Sequence, residues 1–389
     1  MNATNLYGFA VSISCLTFPA AGQTWTQLGA LKYNGAALAM SADGCKLSAT
    51  TSTAHPAFST DAGQTWQTNQ SQGKGYIDIA SSADGTKLVA PFLGGNLYVS
   101  TNSGSTWAIT TAPKTDYRAV CSSALGNILA AAGLNGSDTS GYLYVSTNSG
   151  LTWATNTSLN RGWMSIAGSA DGSKLAAGAY ADKIYVSTNF GTTWTATQSP
   201  TGSWFSIACS ADGTKLIASG NATFISTNAG GQWALASPNA GYVAASADGS
   251  KFIFAGSFYS LPRNPNHSIY TSSDSGVTWV SNNAPASGWT SVASSADGAE
   301  FVAATGGSGI WIGRTTPAPQ LNVERAVRQL TLSWLVPSTS FDLQQNSGIT
   351  KAKWVTLTNM PAFDPASLQN QIALPYSDTS QEFFRLIAQ

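Results

Sequence analysis

Seven tryptophans, Trp25, Trp66, Trp107, Trp153, Trp194, Trp233 and Trp279, recur along a chain of 389 residues at spacings of 39 to 46. A spacing held over most of a chain marks one supersecondary unit copied many times, each copy burying its apolar face against the next. A second series keeps the same register. The tetrapeptide SADG places Asp43, Asp84, Asp171, Asp212, Asp248 and Asp297 once per unit, and SALG puts Leu125 in the remaining slot.

Within one unit the pattern predicts four short strands, WMSIAGS (163–169), KLAAGAY (174–180), KIYVSTN (183–189) and TTWTATQ (192–198). They are alternating runs cut by Gly and Asp turns. Four strands in roughly 40–45 residues is the size of a β-propeller blade. The two ends of the series complement each other. After Asp297 the chain supplies FVAAT and IWIG but then RTTPAPQ, so the last unit lacks its GxTW strand, while GQTW at Gly22–Trp25 is such a strand without a unit. The fold class read from this pattern is all-β: a seven-bladed propeller over 22–314, closed by the N-terminal strand. A Pro-rich linker follows at 315–320. Beyond it, LTLSW (330–334), FDLQQ (341–345), KWVTLT (353–358) and FFRLI (383–387) predict a small β-sandwich over 321–389.

Charge narrows the possible partners. Eighteen Lys and Arg against eighteen Asp and Glu, only 9% of the chain in all, give no basic face for nucleic acid. No later run approaches the ~18 apolar residues of a membrane span. Cys15, Cys45, Cys121 and Cys209 have neither zinc spacing nor the look of a disulfide framework. No metal or cofactor is implied. Residues 1–21, apolar from Leu6 to Phe18 with small residues after, read as a signal peptide without the usual basic start. The expected location is therefore secreted or cell-surface.

The stretches STDAGQTW (59–66), STNSGSTW (100–107), STNSGLTW (146–153), STNFGTTW (187–194), STNAGGQW (226–233) and SSDSGVTW (272–279) share one pattern, S-x-D/N-x-G-x-T-W or close to it. It resembles the Asp-box, or BNR repeat, of sialidases and other propeller proteins. Each part has a structural reason: Asx caps backbone amides, Gly supplies positive φ, and Trp is a packing plate. The resemblance implies that the boxes join third and fourth strands on the face away from the ligand. Asn at four of the six boxes argues against metal binding or acid–base work there. The C-terminal piece resembles immunoglobulin or fibronectin III-like modules of secreted bacterial proteins.

Sialidase activity does not come with the resemblance. No FRIP motif occurs, the repeat region has only Arg118, Arg161, Arg263 and Arg314, and its sole glutamate is Glu300. With the turn and box aspartates set aside, Asp78 and Asp116 form the one carboxylate pair worth testing against the roughly 5–10 Å separation of a glycosidase. His55 and His267 fall in different units. The remaining candidates lie eight residues before the SADG aspartate, where Tyr76, Tyr117, Trp163, Trp204 and Trp289 recur, with Tyr242 near that slot in a shortened unit. These rings are read either as sugar-stacking platforms around the channel mouth or as wedges between blades. Arg118 and Arg161 would add polar selectivity, and the loops 133–141 and 256–267 break the symmetry on that face. The expected function is a non-catalytic recognition module for glycan or another extracellular polymer. The alternatives are a carbohydrate-active enzyme, hydrolase or lyase, and a protein-interaction scaffold.

Overall fold

In the computed structural model the described residues are 24–28, 37–256, 268–314 and 321–388, apart from short stretches at 52, 71–72, 74, 283, 285–287, 307–308, 327–328, 337–340, 347–353, 359 and 376–382. The signal-peptide and linker readings, His267, Arg263 and the loop 257–267 lie outside them. Every regular element among the described residues is a β-strand. Seven four-stranded antiparallel sheets occupy Thr24 to Arg314, and we number them as units by their first strands. These are Ala37–Met40, Ala80–Ser81, Asp116–Ser122, Trp163–Gly168, Ser206–Cys209, Gly241–Ala245 and Trp289–Ser294.

Six units are four consecutive strands. Unit 4 runs Trp163–Gly168, Leu175–Ala179, Ile184–Ser187 and Thr195–Ala196, so each strand is shorter than its sequence pattern and the fourth is cut most, to two residues. The box ends in Trp194, which is still part of the turn. Unit 7 takes its fourth strand from the start of the chain, Thr24–Leu28 pairing antiparallel with Ile310–Arg314. Trp25 then lies 6.2 Å from Trp289, as Trp194 lies 6.4 Å from Trp163 and Trp233 lies 6.5 Å from Trp204.

Each unit packs on the one before it through its own apolar cluster, and the first packs on the last. The SADG turns carry the closure down to the backbone. Ala42 N–H donates to Ala83 O, and the relay continues through Ala124, Ala170, Ala211, Ala247 and Ala296 back to Ala42 O, with every bond between 2.6 and 2.8 Å. A turn amide facing a crowded axis has no strand partner, so the neighbouring turn supplies one. At about 1 kcal/mol each, these bonds tie the seven units into a single cooperative ring.

The C-terminal residues form two more sheets. One orders Asn322–Ala326, Gln329–Leu335, Gln369–Pro375 and Ala362–Asp364, and the other orders Val355–Thr356, Phe341–Asn346 and Phe383–Ala388. Leu332, Trp334, Ile372 and Leu374 of the first share one core with Leu343, Phe384 and Leu386 of the second.

Candidate functional site

The boxes come first, because they decide which face is free to work. In each, the serine Oγ donates to the Asx Oδ1 and accepts the glycine N–H, as in Ser146 to Asn148 at 3.0 Å and Gly150 to Ser146 at 2.8 Å. The Asx Oδ1 also takes the amide four residues on, Thr152 N–H at 2.9 Å. The fourth box residue sits at positive φ without being glycine, from 54° at Ala62 to 58° at Ser275. Its amide donates to the residue after the SADG glycine of the same unit, as Ser149 does to Asn127 O at 2.9 Å. Boxes and SADG turns therefore share one face, and their polar groups are spent on each other.

The five slot aromatics are buried. Tyr76, Tyr117 and Trp204 are 1% exposed, and Trp163 and Trp289 are 0% exposed. Trp204 lies among Ala176, Ile184 and Val186 of the preceding unit and Trp233 of its own, so it is a wedge between sheets. Its Nε1 donates to Asp182 O at 3.0 Å, and the Tyr117 hydroxyl donates to Pro113 O. None of the five offers a ring face to a ligand, so the stacking-platform reading does not hold for them. For three of the five the reason is a β-bulge. In units 3, 4 and 7 the pairing slips between Tyr117 and Ala119, Trp163 and Ser165, and Trp289 and Ser291. The aromatic is held in the interface while the next residue, Arg118, Met164 or Thr290, is left over and less buried.

Unit 6 lacks the extra residue. Gly241 there pairs with Gly256, and the added side chain comes from the second strand as Phe254, 1% exposed, where the six other units hold Ala49, Ala90, Ala131, Ala177, Ala218 and Ala303. A Cβ on Gly241 would collide with the Phe254 ring and the Ala255 carbonyl. Tyr242 is thereby moved out of the aromatic slot. It is half-buried, edge-on to the half-buried Phe205 at 5.7 Å, while the exposed Tyr180 follows the second strand of unit 4.

Polar groups concentrate on units 3 and 4 at the ends away from the boxes. Arg118 pairs with Asp116 at 3.1 Å and Asp138 at 3.4 Å, all three exposed. Arg161 meets Asp182 at 2.7 Å and the Tyr185 hydroxyl at 3.3 Å, and that hydroxyl donates to Asp182 at 3.1 Å. The hydrogen bond to Tyr185, ahead of the Asp182 charge, holds the guanidinium above its ordinary value. The stretch 133–141, expected as a loop, is a hairpin whose strands Leu129–Ser137 and Ser140–Ser146 are longer than their counterparts elsewhere. It is pinned to the next unit by Gly141 N–H to Asn160 Oδ1 at 2.8 Å and Arg161 N–H to Gly141 O at 3.1 Å.

Asp78 and Asp116 do not converge. Asp78 Oδ2 accepts Val120 N–H at 2.9 Å, the role that Ser206 and Ser291 play towards Val243 and Leu38. Val120 lies four strand residues, roughly 13 Å, beyond Asp116. The two carboxylates thus stand at different depths, one a strut between first strands and one in an exposed ion pair. Burial pushes the Asp78 carboxyl up to about 6, against the pull of the Val120 and Ile79 amides. His55, half-buried, belongs to unit 1, far along the chain from these clusters. Among the described residues no three His, Cys, Asp or Glu side chains are grouped to hold a metal ion, and no helix is long and apolar enough to cross a membrane.

No model of a known protein family matches the chain, and no curated protein matches it. Solved structures do. A GH74 xyloglucanase from Xanthomonas campestris superposes with a TM-score of 0.59 at 16% identity over 80% of this chain, which spans 59% of that enzyme's length. YCF48 bound to D1 peptide gives 0.56 at 16% identity over 77% of this chain and 98% of its own, and YCF48 from Cyanidioschyzon merolae gives 0.55 at 14% over 76% and 98%. The fold is a β-propeller. Identities this low carry the fold alone. On that propeller, the polar ends of units 3 and 4 and the Phe205–Tyr242 pair are what could meet a ligand.

Proposed function

We propose that the chain is a seven-bladed Asp-box propeller over 22–314, closed by its N-terminal strand. In this reading residues 1–21 direct it out of the cell or to its surface, and 321–389 form an immunoglobulin-like module. The propeller works as a non-catalytic recognition module, and its ligand is a glycan or another extracellular polymer held at the mouth away from the boxes. One observation carries the reading. The box face repeats the same self-satisfied turns unit after unit, while the opposite ends of units 3 and 4 carry the long hairpin, the exposed ion pairs of Arg118 and the half-buried pair of Arg161 with Asp182. Ion pairs in water cost little to open, so a polar polymer can exchange with them. A hydrolase or lyase is the weaker alternative, because Asp78 is engaged in holding the ring and stands apart from Asp116.

A protein ligand is the second reading, favoured by the shortage of exposed rings for sugar stacking and by a neighbour whose structure holds the D1 peptide. A glycan array and a peptide array probed with the full chain separate the two. The account expects retention of one polymer class by the wild type and at least tenfold weaker retention by Arg118→Ala/Arg161→Ala, the loss of two charged contacts. Retention that survives both substitutions would move the site elsewhere.

A further inference from the structure

Alanines of the turn ring, Ala42, Ala247 and Ala296 with Ala83 and Ala211, form an apolar cluster with Leu335, Val336 and Leu368 of the module. Leu335 ends its strand paired with Gln369, and Val336 N–H donates to Leu368 O at 3.0 Å, so the three side chains come from one tip. Leu368 sits at φ 53°, a conformation that suits glycine or asparagine and not a branched side chain. A turn needed only to reverse the chain has no use for leucine there. A turn that must present an apolar side chain does.

We infer that the C-terminal module is an axial plug, whose Leu335, Val336 and Leu368 seal the ring of alanine turns at the box face. The ring has a physical need for such a seal. Its methyl groups are apolar, and its seven interlocked amides would otherwise compete with water from that side. The consequence is a channel that opens only at the mouth away from the boxes. A ligand there is held across the mouth or by its end, and it cannot thread through. The inference rests on the module's own contacts, so it stands whether or not the proposed ligand class is right.

The test is hydrogen–deuterium exchange on the full chain, with solution scattering alongside. Leu335→Asp/Leu368→Asp is expected to enlarge the radius of gyration. It should also speed exchange of the SADG turn amides about tenfold while the second strands, such as Leu47–Thr50 and Leu88–Phe92, stay protected. Leu368→Gly, which suits the positive φ and removes only the side chain, is expected to speed the same turn amides to a smaller degree. Val355→Asp, at an exposed position of the module, should change neither reading. Turn amides that keep their protection in the aspartate variant, whether or not the module swings away, would overturn the plug. So would exchange that rises equally in turns and second strands, since that describes general loosening.

Discussion

Asparagine and aspartate are interchangeable in the boxes because a threonine hydroxyl can turn round. Facing Asp61 and Asp274, Thr65 and Thr278 donate to Oδ2 at 2.5 and 2.6 Å, while Thr106 and Thr152 accept from Asn102 and Asn148 Nδ2 at 2.8 Å. Charge is not the point, only the count of bonds. It still leaves a pH signature. The Thr65 hydroxyl, with backbone help, holds the Asp61 carboxyl down at about 2 from 3.8, so its stabilisation is complete above the ordinary carboxylate value and is lost as pH falls towards 2. Asp61→Asn should leave the melting temperature at pH 7 unchanged and flatten its fall below pH 4. Asp78 has the opposite sign. With its carboxyl raised to about 6, the ionised form is penalised, and stability rises as pH drops from 7 through 6. The half-buried side chain puts the effect on the order of 1–2 kcal/mol. Asp78→Asn keeps an acceptor for Val120 and should remove that rise in a pH series of thermal melts. A variant that climbs like the wild type would place the titrating group elsewhere.

At the scale of the element, unit 6 exchanges an aromatic on its first strand for one on its second. Phe254→Ala should therefore cost about 3–5 kcal/mol in denaturant unfolding, as Trp204→Ala should, even though alanine is what other units carry at that position. A loss below about 1 kcal/mol would mean that the interface collapses around the gap. This exchange also marks the limit of what the residues disclosed. Strands were legible because SADG and the boxes cut the chain at fixed places, and alternation did the rest. The fate of Tyr76, Tyr117, Trp163, Trp204 and Trp289 was not, because first strands pack on both sides and period two does not distinguish an interface from a mouth. The bulge after the aromatic is a pairing fact with no residue signature, so charge alone marks Arg118 in the sequence and nothing marks Met164 or Thr290. The hairpin at 133–141 looked like a loop because Gly, Asn, Asp and Ser are turn residues, yet strand partners and Asn160 hold it extended.

For the molecule as a whole, the closing contacts and the departures from the repeat divide between two faces. On one, lysines reach the next unit's turn, as Lys174 Nζ does to Asp212 O at 2.8 Å. Where the last unit meets the first, the corresponding residue is Glu300, and it holds Arg314 at 2.8 Å. Arg314 in turn donates to Ala62 O of the first box at 3.4 Å. These contacts tie neighbouring units together, although Glu300 Oε2 is buried without a hydrogen-bond partner. The other face carries the departures from the repeat and is the one proposed to bind. The most direct measurement is a hydrogen–deuterium exchange footprint of the full chain with the glycan or peptide that the arrays retain. Added protection is expected at 116–118, 134–141, 160–163 and 180–183, with the box loops unchanged. Protection confined to the boxes and SADG turns would contradict the proposal.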